Sequence, residues 1–160
     1  GPKAITGAMD LDCDATPDEV TAFAAKLEAH PEYIPQGEKE QSMERAMATC
    51  AISTALRRHA GHYAEVADPV MGIMAGAAMG RDLRNVEKVL CVGGIFVHSD
   101  KEKALGMVER CFEEPGISLL PLNLPKVILD RSYLLYAMGV LGKHYPDAAL
   151  SFLKEYVNQA

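Results

Sequence analysis

Apolar residues recur at helical spacing along the first third of the chain. Thr16 followed by Pro17 and two acidic residues is typical of a helix start, because threonine caps the first turn and proline fits the first helical position. The pattern predicts a helix that ends before Pro31. A second, longer helix is predicted from Glu38 onward, ending at Gly61 with that glycine in a left-handed conformation.

Helical patterns return in the second half of the chain. They predict three more helices, at 100–113, 130–143 and 146–157. Ser99 or Asp100 is expected to cap the first, and Asp130 the second. Any strand between Ile117 and Asp130 must be short, because Pro121 and Pro125 interrupt it.

The segment 69–80 carries a glycine at every fourth position. Glycines at that spacing favour close helix packing in membranes, but twelve residues are too few to span a bilayer. We therefore expect a strand and a loop in which the glycines permit close approach of backbone segments.

An apolar strand running from Val86 ends in the glycine pair Gly93-Gly94, and a helix-like pattern follows. Two residues without Cβ allow the backbone to turn sharply and to lie close to a flat group. Ligands in open α/β sheets bind beyond the carboxyl ends of strands. The sequence therefore predicts a nucleotide site at Gly93 and Gly94.

Composition and charge favour a globular protein over a nucleic-acid-binding or membrane-spanning one. The chain has 160 residues, 49% of them hydrophobic and 24% charged, which is typical of one globular domain. The net charge of −6 and the lack of a basic patch argue against nucleic acid. No apolar run is long enough for a membrane span, and four widely spaced cysteines without a CxxC pair favour a reducing cytoplasm.

Other residues with catalytic or metal-binding side chains form no convincing set. His59 and His62 have helical ligand spacing, but Gly61 ends the helix between them, so capping roles are favoured over a metal site. His98, Ser99 and Asp100 are adjacent, and neighbouring side chains cannot converge as a triad. A small hydrolase that uses His98 or His59 has little support.

Several stretches taken together resemble the glutamate mutase L (MutL) family, which is encoded beside adenosylcobalamin-dependent mutases and is unrelated to the mismatch-repair protein of that name. The resemblance covers roughly residues 31–158. The stretches that carry it are Arg58-His59-Ala60-Gly61, 80–86 (GRDLRNV), Val92-Gly93-Gly94, Leu119-Leu120-Pro121, 129–133 (LDRSY) and 137–141 (AMGVL).

The resemblance implies an actin/Hsp70/sugar-kinase-like ATPase. The fold expected is helix-rich α/β: a partial RNase H-like lobe with few strands packed by about five helices. Gly93, Gly94 and Ile95 would line the adenosine side of the nucleotide cleft, with Arg81 and Asp82 at its rim. Arg58 and His59 would hold the long helix against the glycine-rich segment.

The resemblance also implies a function: a reactivating chaperone that uses ATP with Mg to help a damaged cobalamin leave a mutase subunit. The chain lacks the family's Asp-x-Gly-[ST] phosphate loop, and Val92 stands where threonine is expected. We therefore expect residues 17–160 to be a C-terminal portion that needs a missing N-terminal lobe, binds no nucleotide tightly and is inactive alone. Residues 1–16 would be a loose lead-in, with Gly1-Pro2 left by tag removal.

A non-enzymatic interaction domain is the alternative. Eight methionines could form an adaptable apolar surface for a mutase subunit or a partner lobe, and the competing expectation is that they fill the core. An exposed former interface could also make the chain a homodimer. The methionines concerned include Met43, Met47, Met71, Met74 and Met79.

Overall fold

Helices build most of the protein, with two small sheets between them. The computed structural model describes residues 15–159, so the expectations for Gly1-Pro2 and for the lead-in up to residue 14 lie outside the described residues. The elements in chain order are α1 (Pro17–Ala29), α2 (Gly37–His59), β1 (His62–Tyr63), β2 (Ala78–Met79), β3 (Lys88–Cys91), α3 (Gly94–His98), α4 (Lys101–Glu109), a 3₁₀ turn (Arg110–Phe112), β4 (Lys126–Leu129), α5 (Leu134–Leu141) and α6 (Pro146–Gln159).

Helices α1 and α2 confirm the first two predicted helices. Thr16 caps α1 in a capping box: its hydroxyl accepts from the Glu19 amide, and the Glu19 carboxylate accepts from the Thr16 amide at 2.8 Å. Val20 and Phe23 of α1 are buried against Met43 of α2. This packing forms a small core of its own at the amino-terminal end.

Strands β3 and β4 form a parallel pair, with Leu90 opposite Ile128. The helices α3 and α4 lie between them in sequence, so the unit is β-α-α-β. One face of the pair packs on α4 and on Ile52 and Leu56 of α2. The buried members of this main core are Cys91, Phe96, Ala104, Met107, Val108 and Phe112.

The expectation that Gly61 ends the long helix in a left-handed conformation is wrong, and the hairpin of β1 and β2 shows why. Helix α2 ends at His59, and Ala60 is already extended at φ −67° and ψ 150°, so Gly61 is not a left-handed helix end. A Cβ on Gly61 would collide with the carbonyl oxygen of Met79 and lie 2.8 Å from the Arg81 amide nitrogen. Glycine is needed here because two backbone segments approach each other closely.

The glycine-rich segment divides into two kinds of glycine. At Gly80 an added Cβ would lie 3.1 Å from the Cα of Gly61, which is the close approach that was predicted. Gly72 and Gly76 have positive φ and open space around them, so they serve turns instead.

The second half of the chain confirms the predicted helices with changed limits. Helix α3 begins at Gly94, earlier than the pattern indicates, and α4 gives way to a 3₁₀ turn after Glu109. Asp100 caps α4 by accepting from the amides of Glu102 and Lys103. No helix within residues 15–159 is long and apolar enough to cross a membrane.

Some methionines fill the core and others are exposed at the surface. Met43 is buried and Met47 packs against it, so core filling is confirmed for both. Met71 and Met74 are exposed on the loop between β1 and β2, where the expectation of core filling is wrong.

Candidate functional site

Two chain segments meet at the carboxyl ends of β3 and β4. Because the strands are parallel, the turn at Gly93-Gly94 and the segment 130–133 lie at the same edge of the sheet. Gly93 has φ 131°, a conformation that L side chains rarely adopt, and its carbonyl accepts from the Phe96 amide at 3.1 Å. The glycine therefore makes the turn from strand to helix.

Asp130 anchors the second segment. It is only 1% exposed, and its amide donates to the Cys91 carbonyl at 2.9 Å. Its carboxylate accepts from the amides of Leu134 at 2.9 Å and Leu135 at 2.8 Å. Asp130 thus satisfies the first two amides of α5 and ties that helix to the end of β3, but it is not the N-cap that was predicted, because α5 begins at Leu134 with Tyr133 in the N-cap position.

Arg131 and Tyr133 complete this edge, and the sequence reasoning did not select them. Arg131 donates through Nη2 to the Val97 carbonyl at 3.2 Å, while its Nη1 is buried without a hydrogen-bond partner. Tyr133 has φ 54°, and its hydroxyl lies 3.6 Å from the position that a Cβ on Gly94 would take. The sequence feature that points to both residues is the stretch 129–133 (LDRSY), which is one of the stretches that resemble the family.

A cleft of about 290 Å³ opens beside Gly94. Gly94, Ile95 and His98 form one wall, and Glu44 of α2 borders it. The loop 31–35 between α1 and α2, with the sequence Pro-Glu-Tyr-Ile-Pro, also lines the cleft. A flat ligand could lie between the glycine turn and this apolar loop, since glycine presents no side chain to it.

The loop 31–35 is held by one carboxylate. Glu40 accepts from the Tyr33 hydroxyl at 2.6 Å, from the Gln36 amide at 2.8 Å and from Lys26 Nζ at 2.8 Å. The Lys26 ammonium also lies 3.7 Å from the centroid of the Tyr33 ring. Lys26 first, then Tyr33 and the Gln36 amide, lower the pKa of Glu40 to about 2.

The polar groups bordering the cleft include a carboxyl and an imidazole. Burial raises the pKa of Glu44, and the charges of His98 and Arg45 act in the opposite direction. These groups can donate and accept hydrogen bonds to a ligand. Among the described residues no three His, Cys, Asp or Glu side chains form a group that could hold a metal ion.

The predicted rim residues Arg81 and Asp82 lie elsewhere. They precede the amino end of β3, whereas Gly93 follows its carboxyl end, and a four-residue strand is about 13 Å long. Arg81 Nη1 lies 2.8 Å from His59 Nε2. The structure therefore brings Gly93, Gly94 and Ile95 together and leaves Arg81 and Asp82 apart from them.

Arg81 and Asp82 instead join the hairpin to the end of α2. The contact of His59 is with the residue directly after the glycine-rich segment 69–80, which supports the expected link for His59. The Asp82 carboxylate pairs with Arg84 Nη2 at 2.6 Å, which lowers the pKa of Asp82 to about 2, and Arg84 Nη1 donates to the Tyr63 hydroxyl at 2.8 Å. His59 lies beside Arg81, whereas His98 lines the cleft beside Gly94, so the two histidines have different surroundings.

Comparison with known proteins gives one consistent family. The family model described as "MutL protein" matches residues 3–157, a longer range than the resemblance covered. Protein MutL of Clostridium tetanomorphum is 32% identical over 145 residues, which are 91% of this chain and 30% of that protein. The chain thus spans about a third of the length of this relative. No solved structure matches the chain.

Proposed function

The chain belongs to the MutL protein family, and from that premise we propose that it supplies the adenosine side of a nucleotide cleft in an ATP-dependent accessory protein of a cobalamin-dependent mutase. The whole protein would act in the cytoplasm as a reactivating chaperone for a mutase such as glutamate mutase. Its fold would be a partial RNase H-like lobe of the actin/Hsp70/sugar-kinase type.

The observation that carries the proposal is the cleft beside Gly94. It lies where a parallel strand ends in a glycine turn, which is where nucleotides bind in many α/β proteins. The wall of Pro31, Tyr33 and Pro35 offers apolar contact to a purine ring, and Glu40 holds that wall in place before any ligand arrives. Glu44 and His98 offer polar contacts to the base or the ribose.

The phosphates would be bound by a part of the full-length protein outside this chain. No Asp-x-Gly-[ST] loop occurs in the sequence, and Val92 supplies no hydroxyl beside the glycine pair. The chain alone would therefore bind nucleotide weakly, at millimolar concentration, and hydrolyse none.

The test is a titration of the chain with Mg-ATP and Mg-ADP, followed through backbone amide NMR shifts. We expect shifts confined to Gly93, Gly94, α3 and the loop 31–36. The Gly94→Val variant should weaken the binding at least about tenfold, because its branched side chain would enter the cleft. Its fold should survive, since a Cβ at Gly94 meets only ordinary contacts at 3.6 and 3.9 Å.

Gly106→Val is the matched control, because a Cβ on Gly106 of α4 meets nothing within 4 Å and the residue lies outside the cleft. Equal binding by wild type and Gly94→Val would contradict the site. In the full-length protein, an unchanged ATP affinity of Gly94→Val would contradict it as well.

A second candidate function, docking to a mutase subunit, is favoured by the hairpin loop between β1 and β2. Asp68 and Ile73 exchange two backbone hydrogen bonds of 2.8 Å, and the Asp68 carboxylate accepts from two further amides. This ordered turn holds apolar side chains in solvent: Val66, Val70, Met71 and Met74. Flexible methionines at a surface suit a protein partner.

Docking through this hairpin is tested by pull-down with the mutase subunit. Met71→Ser with Met74→Ser should lower the affinity at least about tenfold and leave the nucleotide titration unchanged. Retained binding by this double variant would argue against the hairpin as the docking element.

A further inference from the structure

Helix α5 is apolar along its whole length yet buries none of its residues. Its sequence, LLYAMGVL, contains no charged side chain. A helix that is hydrophobic all round is normally enclosed by other elements. Here α6 is the main neighbour; Leu134, Leu135 and Met138 are half-buried, while Tyr136, Val140 and Leu141 are exposed.

Helix α6 extends this apolar area. The two helices form a hairpin that closes tightly, since a Cβ on Gly142 would lie 3.6 Å from the Cβ of Ala149. Six large apolar side chains of the hairpin are between 37 and 73% exposed. We call them the α5–α6 surface: Tyr136, Val140, Leu141, Tyr145, Leu150 and Phe152.

The sheet gives an independent sign of an absent neighbour. Within residues 15–159 the parallel sheet has only two strands, so each of β3 and β4 has one edge without a strand partner. On the face away from the main core, Ile128 of β4 is buried, whereas its partner Leu90 on β3 and Val92 just beyond β3 are exposed, so this face is covered over β4 and open over β3. Parallel sheets are normally covered on both faces, because their strands are apolar on both sides.

We propose that in the full-length family protein the α5–α6 surface, together with the uncovered side of β3, is the docking face for the rest of the same polypeptide. The relative from Clostridium tetanomorphum supports this occupant, since the chain corresponds to only 30% of its length. The proposal rests on membership of the family and not on nucleotide binding.

The size of the surface fits such a neighbour. The six half-exposed aromatic and aliphatic side chains present on the order of 600 Å² of solvent-accessible surface. Each side of a stable protein interface buries about 800 Å² of such surface. A segment of the same polypeptide has a high effective concentration, so an interface of this size suffices to hold it.

Amide hydrogen exchange tests the proposal without any ligand. The exchange of α5 and of the exposed face of α6 is compared between the 160-residue chain and the full-length protein that contains it. We expect exchange in 134–141 to be slower by about tenfold or more in the full-length protein. Equal exchange in the two proteins would overturn the proposal.

Two charged variants of the full-length protein locate the contact. Val140→Glu and Phe152→Glu should return the exchange of α5 to the rate of the 160-residue chain. Val70→Glu is the matched control: Val70 is 94% exposed on the hairpin loop, and its variant should leave α5 protected. Protection of α5 that survives both helix variants would overturn the assignment of this face.

A second copy of the chain is the rival occupant. Light scattering of the 160-residue chain, with and without Val140→Glu, shows whether the occupant is a second copy or the rest of the same polypeptide. A dimer that Val140→Glu dissociates, together with protection of α5 that depends on protein concentration in the full-length protein, would assign the surface to self-association and overturn the proposal. The nucleotide titration is unaffected by either result.

Discussion

At the residue scale, three glycines have three different physical reasons to be glycine. Gly61 leaves no room for a Cβ because the backbone of Met79 lies against it. Gly93 has a positive φ that an L residue adopts only with strain. Gly94 has neither constraint. Its lack of a side chain leaves the cleft open, so it is the one of the three glycines that a ligand could require.

Gly61→Ala is expected to be strongly destabilising. The new methyl group would overlap a backbone carbonyl that is fixed in the β1–β2 hairpin, so the free energy of unfolding should fall by about 3 kcal/mol. Chemical denaturation measures this change.

The control is Gly106→Ala in the interior of α4, where a Cβ has space. This variant should raise the free energy of unfolding by about 0.5–1 kcal/mol, because alanine favours the helix. If both variants change stability by the same amount, the close approach of Gly61 to Met79 is not as described.

Asp130→Ala should also be destabilising, by about 2–3 kcal/mol. The change leaves the amides of Leu134 and Leu135 without their carboxylate acceptor at a buried position. Denaturation of the variant measures the loss, and hydrogen exchange should show faster opening at the start of α5.

Asp147→Ala is the control for Asp130→Ala, because Asp147 is an exposed acid in the first turn of α6. A loss for Asp130→Ala no larger than for Asp147→Ala would show that the buried Asp130 carboxylate does not stabilise α5.

At the scale of elements, the loop between α1 and α2 is ordered by ion pairing. Glu40 of α2 joins Lys26 of α1 to Tyr33 and Gln36 of the loop. The charged form of Glu40 is the one that makes these bonds, which is why its pKa is low. The wall of the cleft therefore depends on the ionisation of one side chain.

This predicts an acid-sensitive loop. The folded-state pKa of Glu40, about 2, lies below its usual value of 4.5. Its contribution to stability is therefore present above pH 4.5 and is lost as the pH falls toward 2. Thermal melting should show that Glu40→Gln is less stable than wild type at neutral pH and that the gap narrows through this window.

Glu65→Gln, on the exposed loop between β1 and β2, is the control for the acid series. Its melting curve should follow that of wild type at every pH. A constant gap between Glu40→Gln and wild type from neutral pH down to pH 2 would contradict the role of the Glu40 charge.

At the scale of the whole molecule, residues 15–159 contain two clusters of buried apolar side chains, and Leu119, Leu120 and Ile128 are buried outside both. Val20, Phe23, Met43 and Ala46 make the smaller one, and the larger lies between the β3–β4 pair, α4 and α2. The long helix α2 contributes to both, so it joins the amino-terminal hairpin of helices to the sheet.

Cysteine reactivity should report the integrity of the larger core. Burial raises the pKa of Cys91 and of Cys111 to about 11, so both thiols are protonated and inaccessible in the folded protein. In a Cys13→Ser, Cys50→Ser background, labelling of the two thiols by a disulfide reagent should be slow and should accelerate with denaturant in step with global unfolding.

A variant with only Cys13→Ser keeps Cys50 as a comparison for the core thiols. Cys50 is half-buried on α2, so the disulfide reagent should label it faster than Cys91 or Cys111. Rapid labelling of Cys91 or Cys111 in native buffer at neutral pH would contradict the packing of this core.

Local sequence signals predicted most of the helices. Thr16-Pro17 and Asp130 act through bonds to amides a few residues away, so their effect can be read without knowledge of the fold. The strand before Gly93 and the turn at the glycine pair were predicted for the same reason. Family membership also followed from residues in sequence, over a shorter range than the match covers.

The tertiary structure decided what lies next to what. The pairing of β3 with β4 brings Asp130 and Tyr133 to the glycine turn, and the packing of α1 on α2 brings the loop 31–35 to the cleft beside Gly94. It also separates Arg81 and Asp82 from that turn, although only ten residues lie between Asp82 and Gly93 in the sequence. Contacts between segments distant along the chain depend on how whole elements pack, and no local pattern of residues encodes that geometry.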